Sequence, residues 1–508
     1  MPIASNAFVI LTKKGIADDG QQETVSALRR QLAKPGAQLL LHLHGGLIDE
    51  KSGKEIATRL SGQGPNSFNL GPDWSQVYVV WRTGAFEVLR NDWLRLVQDD
   101  RLYQVLLRKL IDYVGKNIGL STAGGTRSAS ATFGLTEAEI HRRIVGQADR
   151  REPFGDIETG FVPNAAPGTR AAFMAPRSSG AMALEFQNEL AADRQFQIAT
   201  ADIDNVVNEG VEGRSTLAAA DRTRGKESFG RLSRKIKQEL QPAPKTAGDT
   251  RGLLSTGAFL LKHAGFIAYR VFERFRSQRD HGFHATIVEE VCRELYGDLI
   301  GAKVWGLMVH HAGDHFGTKG LGSVFLDLLG TAPSPKRFVV TAHSAGSIWA
   351  SQMLLAMATR KQAARIKLFL LAPAVRQSLF VEAIGKAQGM LESCEMFTMT
   401  DEYERKDPVL GEDYGFIYPS SLLYCVSGMF EENGVEAYPD APILGMMRFG
   451  QTGFLNPDEQ AAATAIQQFF TRPGNGIVTS PTEGVTQALC HGCFDDEPTT
   501  LKSLVGRF

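Results

Sequence analysis

The chain has 508 residues, 43% of them apolar and 22% charged, with a formal net charge of −1. That length allows two or three domains, or one core with a large insertion. The near-zero charge removes any electrostatic case for nucleic acid or for an anionic membrane surface. The five cysteines (Cys292, Cys394, Cys425, Cys490 and Cys493) are an odd, sparse set. They predict a reducing, cytoplasmic setting and no disulfide framework. The first residues, Met1 to Phe8, lack a basic stretch followed by an apolar core, so no secretory signal is expected. No run approaches the ~18 uncharged apolar residues that would cross a bilayer.

In chain order, residues 7–12 read as a strand and 23–32 as a helix ending at Lys34-Pro35-Gly36. An apolar strand from residue 37 runs straight into His44-Gly45-Gly46. A polar helix follows at 51–60, then a strand at 76–81. Strands alternating with helices predict a parallel sheet. Residues 86–118 carry one or two amphipathic helices, and 119–131 a Gly/Ser/Thr/Ala-rich loop. The stretch 155–182 is broken by Pro163, Pro167 and Pro176. Residues 183–240 are helical and highly charged. Residues 253–275 form a strongly apolar helix with Arg and Lys interspersed, expected to pack against the rest of the protein; the other reading is a lipid-binding cap. A helical return segment starts near residue 280. The next strand begins at Arg337, followed by a helix from Ile348, a strand at 365–372, another ending at Asp401, and an acid-led helix at 456–470.

The stretch from Arg337 to Ser351 combines a β-branched run, Ser344 flanked by small residues, and a helical pattern. This is the layout of a nucleophile elbow, with Ala342 in the slot usually held by glycine and Gly346 in the other. The His44-Gly45-Gly46 turn can aim backbone N–H groups at one point, since glycine tolerates unusual dihedrals. Near the end, Cys490-His491-Gly492-Cys493 places a histidine in a Gly-containing turn. The order is therefore glycine loop, serine, acid, histidine.

With these four motifs the chain resembles the α/β-hydrolase superfamily of serine esterases and lipases, over residues 8–82 and 280–508. The resemblance implies an α/β fold, with a mostly parallel central sheet flanked by helices. It also implies a large, mainly helical insertion or cap between the strand at 76–81 and the nucleophile strand at 337–342. The expected parts are 1–86 and 280–508 as the two halves of the core, and 87–279 as the insertion. It implies Ser344 as nucleophile, His491 as base, and Asp401 as acid with Asp407 as the alternative. Backbone N–H groups of Gly46, Leu47 and Ala345 would form the oxyanion hole. The activity implied is hydrolysis of a carboxylic ester, with thioester or amide open, through an acyl-enzyme and without a cofactor. The substrate expected is a small-molecule or lipid-like acyl compound. The alternative is a catalytically weak scaffold whose insertion binds a protein partner.

Other residues have plainer readings. His44 shapes its loop, His343 packs beside the serine, and Asp495 and Asp496 cap the last helix, their other reading being partners of His491. No metal is expected. Cys490 and Cys493 lack a second ligand pair, the His311/His315 pair lacks the adjacent glutamate of a zinc helix, and His42-x-His44 lacks a following Asp-His.

Overall fold

The protein is described as a computed structural model covering residues 4–508 apart from 19, 82–85, 119–132, 159–176, 213–218, 241–254, 332–336 and 451–452. Its strands are β1 (Ala7–Lys13), β2 (Ile16–Ala17), β3 (Gln38–Leu43), β4 (Trp74–Trp81), β5 (Arg337–His343), β6 (Ile366–Leu371), β7 (Leu391–Met399) and β8 (Asn475–Ser480). They form one sheet in the order β2-β1-β4-β3-β5-β6-β7-β8. Only the β1–β2 hairpin is antiparallel.

The inner strands read as continuous apolar runs because helices cover both sheet faces. In β3, Leu39, Leu41 and Leu43 enter one core and Leu40 the other; in β5, Val340 and Ala342 face one and Val339 the other. The larger core continues from the sheet into the helices between β4 and β5, through Leu106, Ile111, Phe186, Ile267 and Phe283. The smaller one is closed by Phe494, Leu501 and Phe508 of the C-terminal segment.

The chain proceeds from β3 outward to β4 on one side, and from β5 outward to β6 on the other. Neighbours β3 and β5 thus mark the point where strand order reverses, which is where open α/β sheets leave a crevice at the strands' carboxyl ends. Their register pairs His42 with Thr341 and Leu43 with Ala342. The residues after Leu43 and after His343 are brought together as a result.

Between β4 and β5, all regular structure among the described residues is helical. The amphipathic stretch predicted at 86–118 divides into Phe86–Asp99 and Arg101–Asn117. It breaks at Asp100, whose side chain caps the second helix on the Tyr103 N–H. The predicted loop at 119–131 lies outside the described residues, as does most of that at 155–182. The apolar, Arg-bearing helix is Thr256–Arg276, and it packs against Ser179–Ala192, Arg194–Glu212 and Phe283–Leu295. Arg270 and Arg274 face carboxylates inside the protein. Arg270 meets Glu290 and Glu294 at 2.7 Å each, and Arg274 meets Glu289 at 2.7 Å and Glu290 at 2.8 Å. No helix among the described residues is long and apolar enough to cross a membrane.

Two strands escaped the sequence reading. β2 has two residues, and β8 is a half-exposed edge strand whose Ile477 is open to solvent. Neither carries enough apolar residues to signal itself.

Candidate functional site

β5 ends at His343, and the helix Gly346–Thr359 begins after Ala345. Ser344 between them has φ 50°, a left-handed conformation rare for a residue with a side chain. The surroundings hold it there. Its N–H donates to Leu371 O at 2.8 Å, and its carbonyl accepts from Ser347 Oγ at 2.6 Å and from Ala374 N at 3.1 Å. Gly346 is required by space, since a Cβ there would lie 2.4 Å from Leu43 O.

The loop after β3 lies directly alongside. A Cβ on Gly46 would sit 3.0 Å from Ala345 Cβ and 2.7 Å from Met308 Sδ, so this loop, the serine turn and the helix Ala302–Asp314 meet there. Leu47 has φ 60°. His44 shapes the loop from beneath: Nδ1 donates to Gly45 O at 2.5 Å and Nε2 accepts from Trp81 N at 3.2 Å. Burial lowers its pKa to about 4, so it is neutral at pH 7.

His491 reaches this point from the loop after β8, in the short 3₁₀ turn His491–Cys493. Its Nε2 is 2.8 Å from Ser344 Oγ. Burial, reinforced by His343, pulls the pKa of His491 to about 3, so the imidazole is neutral at pH 7. Its Nδ1 is buried without a hydrogen-bond partner.

The acids divide differently from expectation. Asp401 does not join the pair: it starts the short helix Asp401–Glu404, accepts from the Tyr424 hydroxyl, and faces Arg405 at 3.7 Å. It lines a separate cavity with Thr400, Met446 and Phe449. Asp407 is the one against His491, accepting from its backbone N–H at 2.6 Å, and burial raises its pKa to about 6. Asp495 does not cap the last helix; Glu497 does, accepting from the N–H groups of Thr499 and Thr500. Asp495 is instead buried 3.6 Å from His343 Nδ1, and Arg59 donates to its carbonyl at 2.5 Å. Sequence order could not reveal that partnership, because the helix carrying Arg59 lies more than four hundred residues away.

The expectation of a disulfide-free chain fails at one place. Cys490 and Cys493 are bonded across His491 and Gly492, while Cys292, Cys394 and Cys425 are free and buried. Among the described residues no group of three or more His, Cys, Asp or Glu is arranged to hold a metal ion. His315 spends both ring nitrogens on structure, Nδ1 on His311 O at 2.7 Å and Nε2 on Thr12 Oγ1 at 3.1 Å.

A cavity of about 490 Å³ opens beside His491. Its walls mix apolar Leu47, Ile48, Val409 and Leu422 with polar Asp49, Ser52, Glu87 and Asp407. Comparison with protein-family models, curated proteins and solved structures finds no match for the chain.

Proposed function

We propose that the protein is a serine hydrolase of the α/β-hydrolase kind, cleaving a carboxylic ester, with Ser344 as nucleophile, His491 as base and Asp407 as acid. The observation that carries this reading is the 2.8 Å approach of His491 Nε2 to Ser344 Oγ on a positive-φ turn. A serine hydroxyl becomes a competent nucleophile when such a base takes its proton during attack. The oxyanion of the tetrahedral intermediate would meet the N–H groups of Ala345, Gly46 and Leu47, each donor being worth about 3 kcal/mol of transition-state stabilisation. His491 then returns the proton to the departing alcohol, leaving an acyl-enzyme that water hydrolyses by the same steps.

Asp407 takes the acid's place because its carboxylate already holds the backbone N–H of His491, while the ring Nδ1 has no hydrogen-bond partner. In this reading the carboxylate moves onto Nδ1–H as the imidazolium forms. The helices between β4 and β5 act as a cap in this reading. Glu87 of the first of them lines the cavity that His491 shares, and its mixed walls suit an uncharged ester of modest size.

The test is labelling by a fluorophosphonate probe with the modified residue located by mass spectrometry. Wild type should label at Ser344, and Ser344→Ala and His491→Ala should not label. Folded protein that leaves Ser344 unmodified would overturn the hydrolase reading in favour of a scaffold.

The disulfide gives a second prediction. It closes the turn presenting His491, and both Cys490 and His491 line the cavity. A loop this short contributes about 2 kcal/mol by closure entropy, so most of the fold should survive reduction while the turn loosens. Labelling of Ser344 after treatment with a phosphine reductant is expected to slow several-fold, and to be equally slow in Cys490→Ala with or without reductant. An unchanged rate in the reduced, thiol-titrated protein would show that the turn needs no bond.

A further inference from the structure

We propose that His343, the residue immediately before Ser344, is a positioning residue that fixes the backbone of His491 and with it the reach of the imidazole to the serine. This inference rests on the hydrolase reading above. His343 is the last residue of β5 and is buried. Its Nε2 lies 2.9 Å from the carbonyl oxygen of His491. A carbonyl only accepts, so this nitrogen carries the proton.

The other face of the ring is anchored in turn. Nδ1 faces Asp495 Oδ2 at 3.6 Å, an ion-pair separation too long for a hydrogen bond. Asp495 sits beside the Arg59 guanidinium, whose Nη2 is 3.8 Å from Oδ1 and whose Nη1 also reaches Asp496 at 3.1 Å. Burial opposes protonation of His343, but the Asp495 carboxylate and the His491 carbonyl together outweigh it and raise the pKa above the ordinary imidazole value. The chain Arg59–Asp495–His343 therefore ends on the carbonyl of His491.

From the opposite side, Asp407 holds the N–H of the same residue at 2.6 Å. Both backbone polar atoms of His491 are thus fixed, one by the strand end that carries the nucleophile and one by the loop after β7. Since His343 and Ser344 are consecutive, a single rigid strand end sets the position of the nucleophile and the depth of its base. The glycine loop makes room for this: a Cβ on Gly45 would lie 3.3 Å from His343 Nδ1 and 3.4 Å from Ser344 Cβ. A merely space-filling side chain would need neither the bond to His491 nor a buried carboxylate behind it.

Two polar variants separate reach from packing. A glutamine amide nitrogen can occupy the place of Nε2, whereas that of asparagine stops short of it. Fluorophosphonate labelling at Ser344 is expected to slow about tenfold or more in His343→Asn, the kinetic equivalent of one hydrogen bond. His343→Gln should recover most of that loss at a similar thermal midpoint. Asp495→Asn, which keeps the volume and removes the charge, should slow labelling by a smaller factor and serves if His343→Asn does not fold. Equal rates in wild type, His343→Asn and Asp495→Asn would overturn the inference. So would equal slowing of both His343 variants with matched losses of thermal stability, which is the signature of packing alone. If wild type itself fails to label, the hydrolase reading falls and takes this inference with it.

Discussion

Replacing Arg274 by methionine should lower the free energy of unfolding by about 3–5 kcal/mol, the usual cost of removing one partner from a buried ion pair. Few single changes here should do more, because a domain's whole stability is about 5–15 kcal/mol. The guanidinium is fully buried, 2.7 Å from Glu289 and 2.8 Å from Glu290, with Asp440 at 3.8 Å. Methionine fills much of the space but leaves these carboxylates facing one another in the interior. The consequence is long-range. Asp440 also pairs with Arg279 at 3.0 Å, and Arg279 with Glu459 at 2.7 Å, so the cluster ties the helix Thr256–Arg276 to the segment between β7 and β8. The measurement is the urea midpoint beside that of Arg360→Ala, whose partner Asp327 is largely exposed. A surface pair of that kind contributes under about 1 kcal/mol. Equal shifts for the two variants would mean that water or protonation relieves the buried carboxylates.

That cluster also marks where sequence reasoning stops. The inner strands were legible because their signal is local: Leu39–Leu40–Leu41 and Val339–Val340 are apolar runs bounded by turns. The serine turn was legible for the same reason, since the small residue at 346 is demanded by Leu43 a few ångströms away. Ser344 and His491 could be paired only through the order of motifs, and they lie within hydrogen-bonding distance. The acid could not be ranked that way. Asp401 and Asp407 are six residues apart after the same strand, and what separates them is the capped turn at Thr400, which directs Asp401 to Tyr424. The arginines of the helix Thr256–Arg276 read only as charges interspersed along an apolar helix. Their carboxylate partners begin thirteen residues beyond the helix, at Glu289, and extend to Asp440, out of reach of any periodicity argument.

In the proposed hydrolase, ester turnover should fall as the pH drops below about 6, the value to which burial raises Asp407. The sign follows from the form required. Asp407 must be ionised to stabilise the imidazolium, and it is ionised above that pH and protonated below it. Burial holds the His491 imidazole well below its ordinary value, so the limb is assigned to Asp407. An ordinary histidine base would place the limb near 6.5 and leave it in place when the acid is replaced. Asp407→Asn is therefore the decisive variant. Its kcat/KM for a p-nitrophenyl ester should fall on the order of 10⁴-fold, as when the acid of such a triad becomes an amide, and the residual rate should be flat between pH 5 and pH 7 (roughly the window that one carboxyl titration spans). Asp401→Asn should leave both rate and limb in place, since its carboxylate serves Tyr424 and Arg405 in a separate cavity. A limb that survives in Asp407→Asn would assign it to His491 and remove Asp407 from the mechanism. A collapse in Asp401→Asn would require the loop after β7 to rearrange when substrate binds, bringing Asp401 to Nδ1.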